Sequence, residues 1–226
     1  NVTENIIFIA TPQYGWYDEK TGQYVQEMKT TITYIDIHDP DGAIRKGASF
    51  DIAGYVTERW QMDFYDGTFR AIAPEQAWGN GYPNLFTYKV ESPDKITLLT
   101  KMQVKLPQAE SVTAVRFEGT RGYVVTFMRK DPLFVIDLRD PKKPAVLGEL
   151  KVPGFSSYLH PYDETTLIGF GKQGTETGRI TGLKLSLFDV SDVNNLKEID
   201  TYEMGDAGSD SIALNDHKAF LFSGKK

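Results

Sequence analysis

Four copies of one phrase organise this chain, each an alternating strand that runs into a turn of Asp-Pro type. They are Thr33-Tyr34-Ile35-Asp36-Ile37-His38-Asp39-Pro40, Phe86-Thr87-Tyr88-Lys89-Val90-Glu91-Ser92-Pro93, Phe134-Val135-Ile136-Asp137-Leu138-Arg139-Asp140-Pro141 and Ser186-Leu187-Phe188-Asp189-Val190-Ser191-Asp192-Val193. The turn positions Pro40, Pro93, Pro141 and Val193 lie 53, 48 and 52 residues apart. Helical repeats are shorter and carry apolar residues at a 3.6-residue period, whereas a unit of about 50 residues holding several short alternating strands is the signature of propeller blades. The phrase therefore marks one equivalent strand per blade, and the expected fold is an all-β propeller of four-stranded blades.

Read outward from the phrase, which is strand c, each unit supplies a strand d and then strands a and b of the next blade. The opening run Asn5 to Ala10 is a strand b. The first unit then gives Ile44 to Ile52, Thr57 to Tyr65 and Phe69 to Ala73, with Asp66-Gly67 as a tight hairpin signal. The second gives Ile96 to Lys105, Val112 to Phe117 and Tyr123 to Met128; the third, Ala145 to Val152, Ser157 to His160 and Thr166 to Phe170. The fourth gives Leu196 to Met204, Ser211 to Leu214 and Ala219 to Phe222. No segment carries a helical apolar stripe. This predicts one propeller domain over residues 1–226, an open arc of about four and a half blades cut from a larger ring, with apolar faces and unpaired edges that favour self-association.

Charge and composition exclude several functions. A formal charge of −6 opposes the binding of nucleic acid. No apolar run reaches the roughly 20 residues that a membrane helix needs. The chain has no cysteine, hence no disulfide, thiolate nucleophile or cysteine metal site. His38, His160 and His217 lack ligand-like spacing to other donors, so no metal or other cofactor is expected. There is no Gly-x-Ser-x-Gly elbow, and Gly169-Phe170-Gly171-Lys172 lacks the ending of a phosphate loop. Asp39-Pro40-Asp41-Gly42 lacks the remaining ligands of a calcium loop and reads as a turn. Asp18-Glu19-Lys20-Thr21-Gly22 partly matches the docking motif of quinone-dependent propeller dehydrogenases, but Gln26 stands where that motif has tryptophan, which leaves a hairpin turn at Gly22.

Several longer phrases carry a family resemblance. They are Asp63-Phe64-Tyr65-Asp66-Gly67-Thr68-Phe69-Arg70-Ala71, Arg121-Gly122-Tyr123-Val124-Val125-Thr126-Phe127, Val152-Pro153-Gly154-Phe155-Ser156-Ser157-Tyr158-Leu159-His160-Pro161 and Gly182-Leu183-Lys184-Leu185-Ser186-Leu187-Phe188-Asp189-Val190. Together they resemble the secreted beta-propeller-domain family of bacteria and archaea, distantly related to WD repeats, from about Thr30 onward. The resemblance implies an exported or cell-surface protein of uncharacterised function and no transferable catalytic set. Val193, where the family has proline, and the aromatic insert before Thr30 depart from it.

In a WD-like strand order the d-to-a and b-to-c connections share one edge of each sheet. That edge gathers a rim of candidate binding residues: Tyr14, Trp16, Tyr17 and Tyr24 of the Thr11 to Lys29 insert, Trp78 and Tyr82, and Lys172 and Arg179. Flat rings offer contact area at low entropic cost, which suits a protein, peptide or glycan ligand. The function expected is a non-catalytic interaction module. The alternative is a hydrolase or lyase whose site lies in the propeller channel, lined near Glu58, Arg59, Arg116, Ser156 and Asp210.

Overall fold

The computed structural model describes residues 3, 5–25, 28–75, 82–104, 111–127 and 131–223. They fold into β-sheets with three single 3₁₀ turns, arranged in two compact units: residues 1–110 with 140–144, and residues 111–139 with 145–226.

In the first unit, β1 (Ile6–Gln13) is followed by a small hairpin of β2 (Trp16–Asp18) and β3 (Gln23–Val25). Strands β4 (Lys29–Asp36) and β5 (Arg45–Ala53) then complete a three-stranded antiparallel sheet in the order β1-β4-β5. The second sheet is a four-stranded meander of β6 (Met62–Tyr65), β7 (Thr68–Pro74), β8 (Pro83–Ser92) and β9 (Lys95–Gln103). The second unit holds two more such meanders. One is β10 (Ser111–Glu118), β11 (Arg121–Phe127), β12 (Asp131–Asp137) and β13 (Ala145–Val152); the other is β14 (Phe155–Pro161), β15 (Thr166–Gly174), β16 (Ile180–Asp189) and β17 (Lys197–Met204).

Each copy of the phrase falls on the strand paired between b and d of its sheet: β4, β8, β12 and β16. Equivalence extends to a defect. A register shift breaks the c–d ladder between Thr33 and Ile35, Thr87 and Tyr88, Val135 and Ile136, and Leu187 and Phe188, a similar distance before the turn in every sheet. Such a bulge bends and twists the outer strand pair at one fixed place.

The phrase has this form because its two aspartates build the turn. Asp36, Asp137 and Asp189 accept the backbone N–H two residues on, at 3.2, 2.9 and 2.9 Å. Asp39, Asp140 and Asp192 do the same at 2.8, 2.9 and 3.0 Å. These Asx turns satisfy amides that the strand has released. The second sheet has Lys89 and Ser92 at these positions, and there Glu91, beside Ser92, binds Lys95 and Thr97 instead.

Three of the turns also close on strands outside their own hairpins. The Pro93 carbonyl accepts from Ala48 N–H on β5 at 2.8 Å, the Pro141 carbonyl from Thr87 Oγ1 at 2.6 Å, and the Lys142 carbonyl from Thr100 Oγ1 at 2.7 Å. Val193 O closes over Gly148 of β13, where an added Cβ would lie 2.1 Å away. The core of each unit fills the space between facing sheets. Phe8, Ile32, Tyr34 and Ile52 meet Phe69, Phe86 and Tyr88 in the first; Tyr123, Leu133 and Val135 meet Leu159, Leu167 and Phe188 in the second.

The structure corrects three sequence expectations. Thr57 to Tyr65 is not one strand: a 3₁₀ turn at Arg59–Gln61 precedes the four residues of β6, because Gln61 Oε1 accepts the amides of Thr57 and Glu58 and curls the chain. Ser211 to Leu214 and Ala219 to Phe222 are not strands either. Ser211 and Asp216 cap 3₁₀ turns at Ile212–Leu214 and His217–Ala219 by accepting the amides of Ala213 and Lys218. Lastly, the first sheet's face away from its core is largely polar rather than apolar, with Thr31 bonded to Asp51, Thr33 to Ser49 and Lys29 to Asp51.

Candidate functional site

Strand pairing fixes which connections share an edge. In the first unit Gln13 pairs with Lys29 and Lys29 with Ala53, so the β1–β4 insert and the β5–β6 connection leave the same end of the sheet. The Tyr55 amide donates to the Pro74 carbonyl at 3.1 Å, which brings that connection against the end of β7, where Pro74 pairs with Pro83. The β7–β8 connection with Tyr82 therefore belongs to the same rim.

The insert folds as sequence suggests. Gly22, with φ of +68°, donates its amide to Asp18 O at 2.8 Å and closes the β2–β3 hairpin. Asp18 also accepts from the Lys20 amide, and hydrogen bonds to Lys20 and Thr21 hold its carboxyl below the ordinary carboxylate range. Trp16 and Tyr24 lie on the hairpin strands, and Trp78 lies outside the described residues. Tyr14 and Tyr17 are 60% and 63% exposed. Tyr14 packs at 6.3 Å, centroid to centroid, against Tyr55, whose hydroxyl is pushed up from its ordinary pKa by burial and then by Tyr14. Arg59 is exposed and lies 4.5 Å over the Trp60 ring. Trp60 escapes sequence reading as a rim residue because Thr57 to Tyr65 reads as strand, whereas Tyr55 falls in the d-to-a connection at residues 53–56, where position alone was the available signal.

In the second unit, Lys172 lies within β15, not in a loop. Its Nζ donates to Ser209 O at 2.6 Å and to Asp210 Oδ1 at 3.1 Å, so a rim candidate and a channel candidate satisfy each other. The Lys172 hydrogen bond holds the Asp210 carboxyl below its usual range. Arg179 is exposed on the turn closed by Thr175. Ser156 is buried, and its carbonyl accepts from Thr113 Oγ1 at 3.0 Å. Arg116, half-buried on β10, acts on His160 of β14: burial first, then the Arg116 charge, push the imidazole below its ordinary pKa. His160 also stacks on Phe220 and Phe222, at 5.5 and 5.0 Å. Among the described residues no cluster of three or more His, Asp or Glu side chains is placed to hold a metal. A cavity of about 440 Å³ in the first unit, lined by Asp66, Lys89, Glu91 and Lys142, opens at the a–b and c–d turns, the opposite end of the second sheet from Tyr82.

Three four-stranded antiparallel meanders and a three-stranded sheet with the same strand order are blades of the β-propeller class of protein. A sequence profile of the beta propeller domain matches residues 2–226, and the chain belongs to that family. An uncharacterised protein of Methanocaldococcus jannaschii is 38% identical over 174 residues, 77% of this chain and 26% of that protein. One from Archaeoglobus fulgidus is 38% identical over 209 residues, 92% of this chain and 30% of that protein. The chain thus spans under a third of either relative. A crystal structure of a Lactobacillus plantarum protein shares the fold at a TM-score of 0.51 and 12% identity, over 89% of this chain and 54% of that one. The fold is a scaffold of the kind that carries binding or scaffolding roles on its loops and prescribes no reaction.

Proposed function

We propose that this chain is a non-catalytic interaction module, exported or displayed at the cell surface, that binds a protein, peptide or glycan through the aromatic rim of its first unit. The observation that carries this reading is the pair Tyr14 and Tyr17, both more than half exposed on an insertion between two strands of a rigid sheet, with Tyr55 beside Tyr14. Burying such rings against a ligand is favourable, because an aromatic side chain brings large contact area and loses little rotamer entropy. Arg59 over Trp60 adds a charged planar donor to the same edge.

The test is a binding screen against cell-wall glycans and extended peptides by biolayer interferometry. A hit should weaken at least tenfold in both Tyr14→Ala and Tyr17→Ala, since a few aromatic anchors dominate interface energy. Undiminished binding in both variants would remove the rim from the site.

A further inference from the structure

We propose that the cavity beside Lys89 and Lys142 binds a free peptide of two or three residues, with the peptide's amino end at Asp66 and its carboxyl end at Lys142. The cavity belongs to the first unit and opens at the end of the second sheet away from the aromatic rim, so the two sites are separate. Thr68 of β7, Lys89 of β8, Leu99 of β9 and the turn residues Pro141 and Lys142 wall it.

Comparison of three turns shows how the space is made. Pro93 O rests on strand backbone: it accepts from the Ala48 amide at 2.8 Å and lies 2.2 Å from where a Cβ on Gly47 would stand. Val193 O likewise lies 2.1 Å from the place of a Cβ on Gly148. At the turn of Pro141 and Lys142 the two carbonyls are held instead by side chains, the hydroxyls of Thr87 and Thr100, at 2.6 and 2.7 Å. A threonine side chain stands where the other two turns touch backbone, and the cavity of about 440 Å³ opens beside these bonds. That volume falls within the range of about 300–1,000 Å³ usual for small-molecule sites.

Charge selects the ligand class. Glu91 is answered by Lys95 and Thr97, at 3.2 and 3.0 Å, so Asp66 is the carboxylate left to a ligand. Asp66 and Gly67, with φ of +45° and +68°, form the tight hairpin between β6 and β7, which fixes that carboxylate on a rigid turn. Lys142 uses its backbone to bind Asp140 and Thr100, and among the described residues neither its ammonium nor the Asp66 carboxylate has a hydrogen bond or ion pair. Lys89 Nζ adds a second cation, 3.0 Å from where a Cβ on Gly67 would stand. A ligand of one sign would leave the opposite group facing it, whereas a zwitterion answers both. The half-buried Leu99 and Pro141 give its apolar side chain a surface. A single amino acid is too small to fill the cavity and reach both charges, and two or three residues suit it.

The probe is the free tripeptide alanyl-leucyl-alanine, titrated into the whole chain and followed by calorimetry. Acetylating its amino end or amidating its carboxyl end should each weaken binding about fivefold, the upper range for one solvent-accessible charge pair. Asn tolerates the left-handed turn, so Asp66→Asn should fold, and in it acetylation should no longer matter. In Lys142→Gln amidation should no longer matter. The blocked peptides on the native chain keep the test decisive if either variant fails to fold. No binding at millimolar peptide, blocked peptides that bind like the free one, or an acetylation penalty that persists in Asp66→Asn each overturns the proposal. Free leucine binding as tightly as the tripeptide overturns it too, by making a single amino acid the occupant.

Discussion

At the scale of single residues, the repeated phrase survives because each part has a separate physical task. Asp137 illustrates the electrostatic part. Hydrogen bonds to the Arg139 side chain and backbone hold its carboxyl below the ordinary range, and Asp36 is held low first by its hydrogen bond to His38. Gly148 illustrates the steric part. A methyl group there would meet Val193 O at 2.1 Å, a backbone atom that cannot swing aside, so Gly148→Ala should cost about 1–3 kcal/mol in urea denaturation. Thr87→Val should cost about 1 kcal/mol, since it leaves the half-buried Pro141 carbonyl without its 2.6 Å donor. Tyr88 contributes to the loss of stability at alkaline pH. Burial raises its hydroxyl from 10.0 to about 12, so the folded state holds the proton more tightly than the unfolded chain does. Its contribution is complete below pH 10 and is lost as the pH climbs from 10 toward 12. Melting temperatures followed over that window should fall more steeply for the native chain than for Tyr88→Phe.

At the scale of elements, what was legible followed the strength of the local pattern. The strands around the phrases were found because alternation and Asx chemistry agree there, and β15, β16 and β17 all lie where the spacing puts them. The failures came where side chains compete with the ladder for backbone amides. Gln61, Ser211 and Asp216 each capture amides and wind 3₁₀ turns out of sequences whose apolar alternation reads as strand. The segment after β17 is held by rings instead of ladder bonds: Phe220 sits 5.1 Å from Tyr158, 5.5 Å from His160 and 6.4 Å from Phe170. Phe220→Ala should therefore loosen this segment. Because burial is the first cause of the lowered His160 pKa, the same substitution should let that value rise toward the ordinary imidazole range. Histidine chemical shifts titrated between pH 4 and 8 would show it, and an unmoved His160 would mean that the rings do not shield it.

At the scale of the molecule, fold and site differ in how they are encoded. The period of about 50 residues is visible because each sheet must bury a face against another, which forces the same apolar alternation four times. The rim has no such repetition. Tyr14 and Tyr17 stand out by composition, but Tyr55 reaches Tyr14 through the pairing of Gln13 with Lys29 and of Lys29 with Ala53, long-range contacts that no local pattern announces. Net charge is the one molecular property that composition gives outright. At −6, with an isoelectric point near 5.2, the chain repels polyanions at neutral pH, and its 25 basic residues are largely answered by 31 acidic ones. Ion pairs such as Lys29–Asp51, Arg45–Asp94, Lys172–Asp210 and Lys184–Glu198 occupy cations that would otherwise meet phosphates. A chain with more acidic than basic residues has few counterions to release on a polyanion, and counterion release is what drives nonspecific nucleic-acid binding. The chain should therefore pass through heparin and single-stranded DNA columns at 150 mM salt and pH 7 while binding an anion exchanger at low salt. Retention on DNA that falls with salt would reveal a basic surface that the charge balance denies.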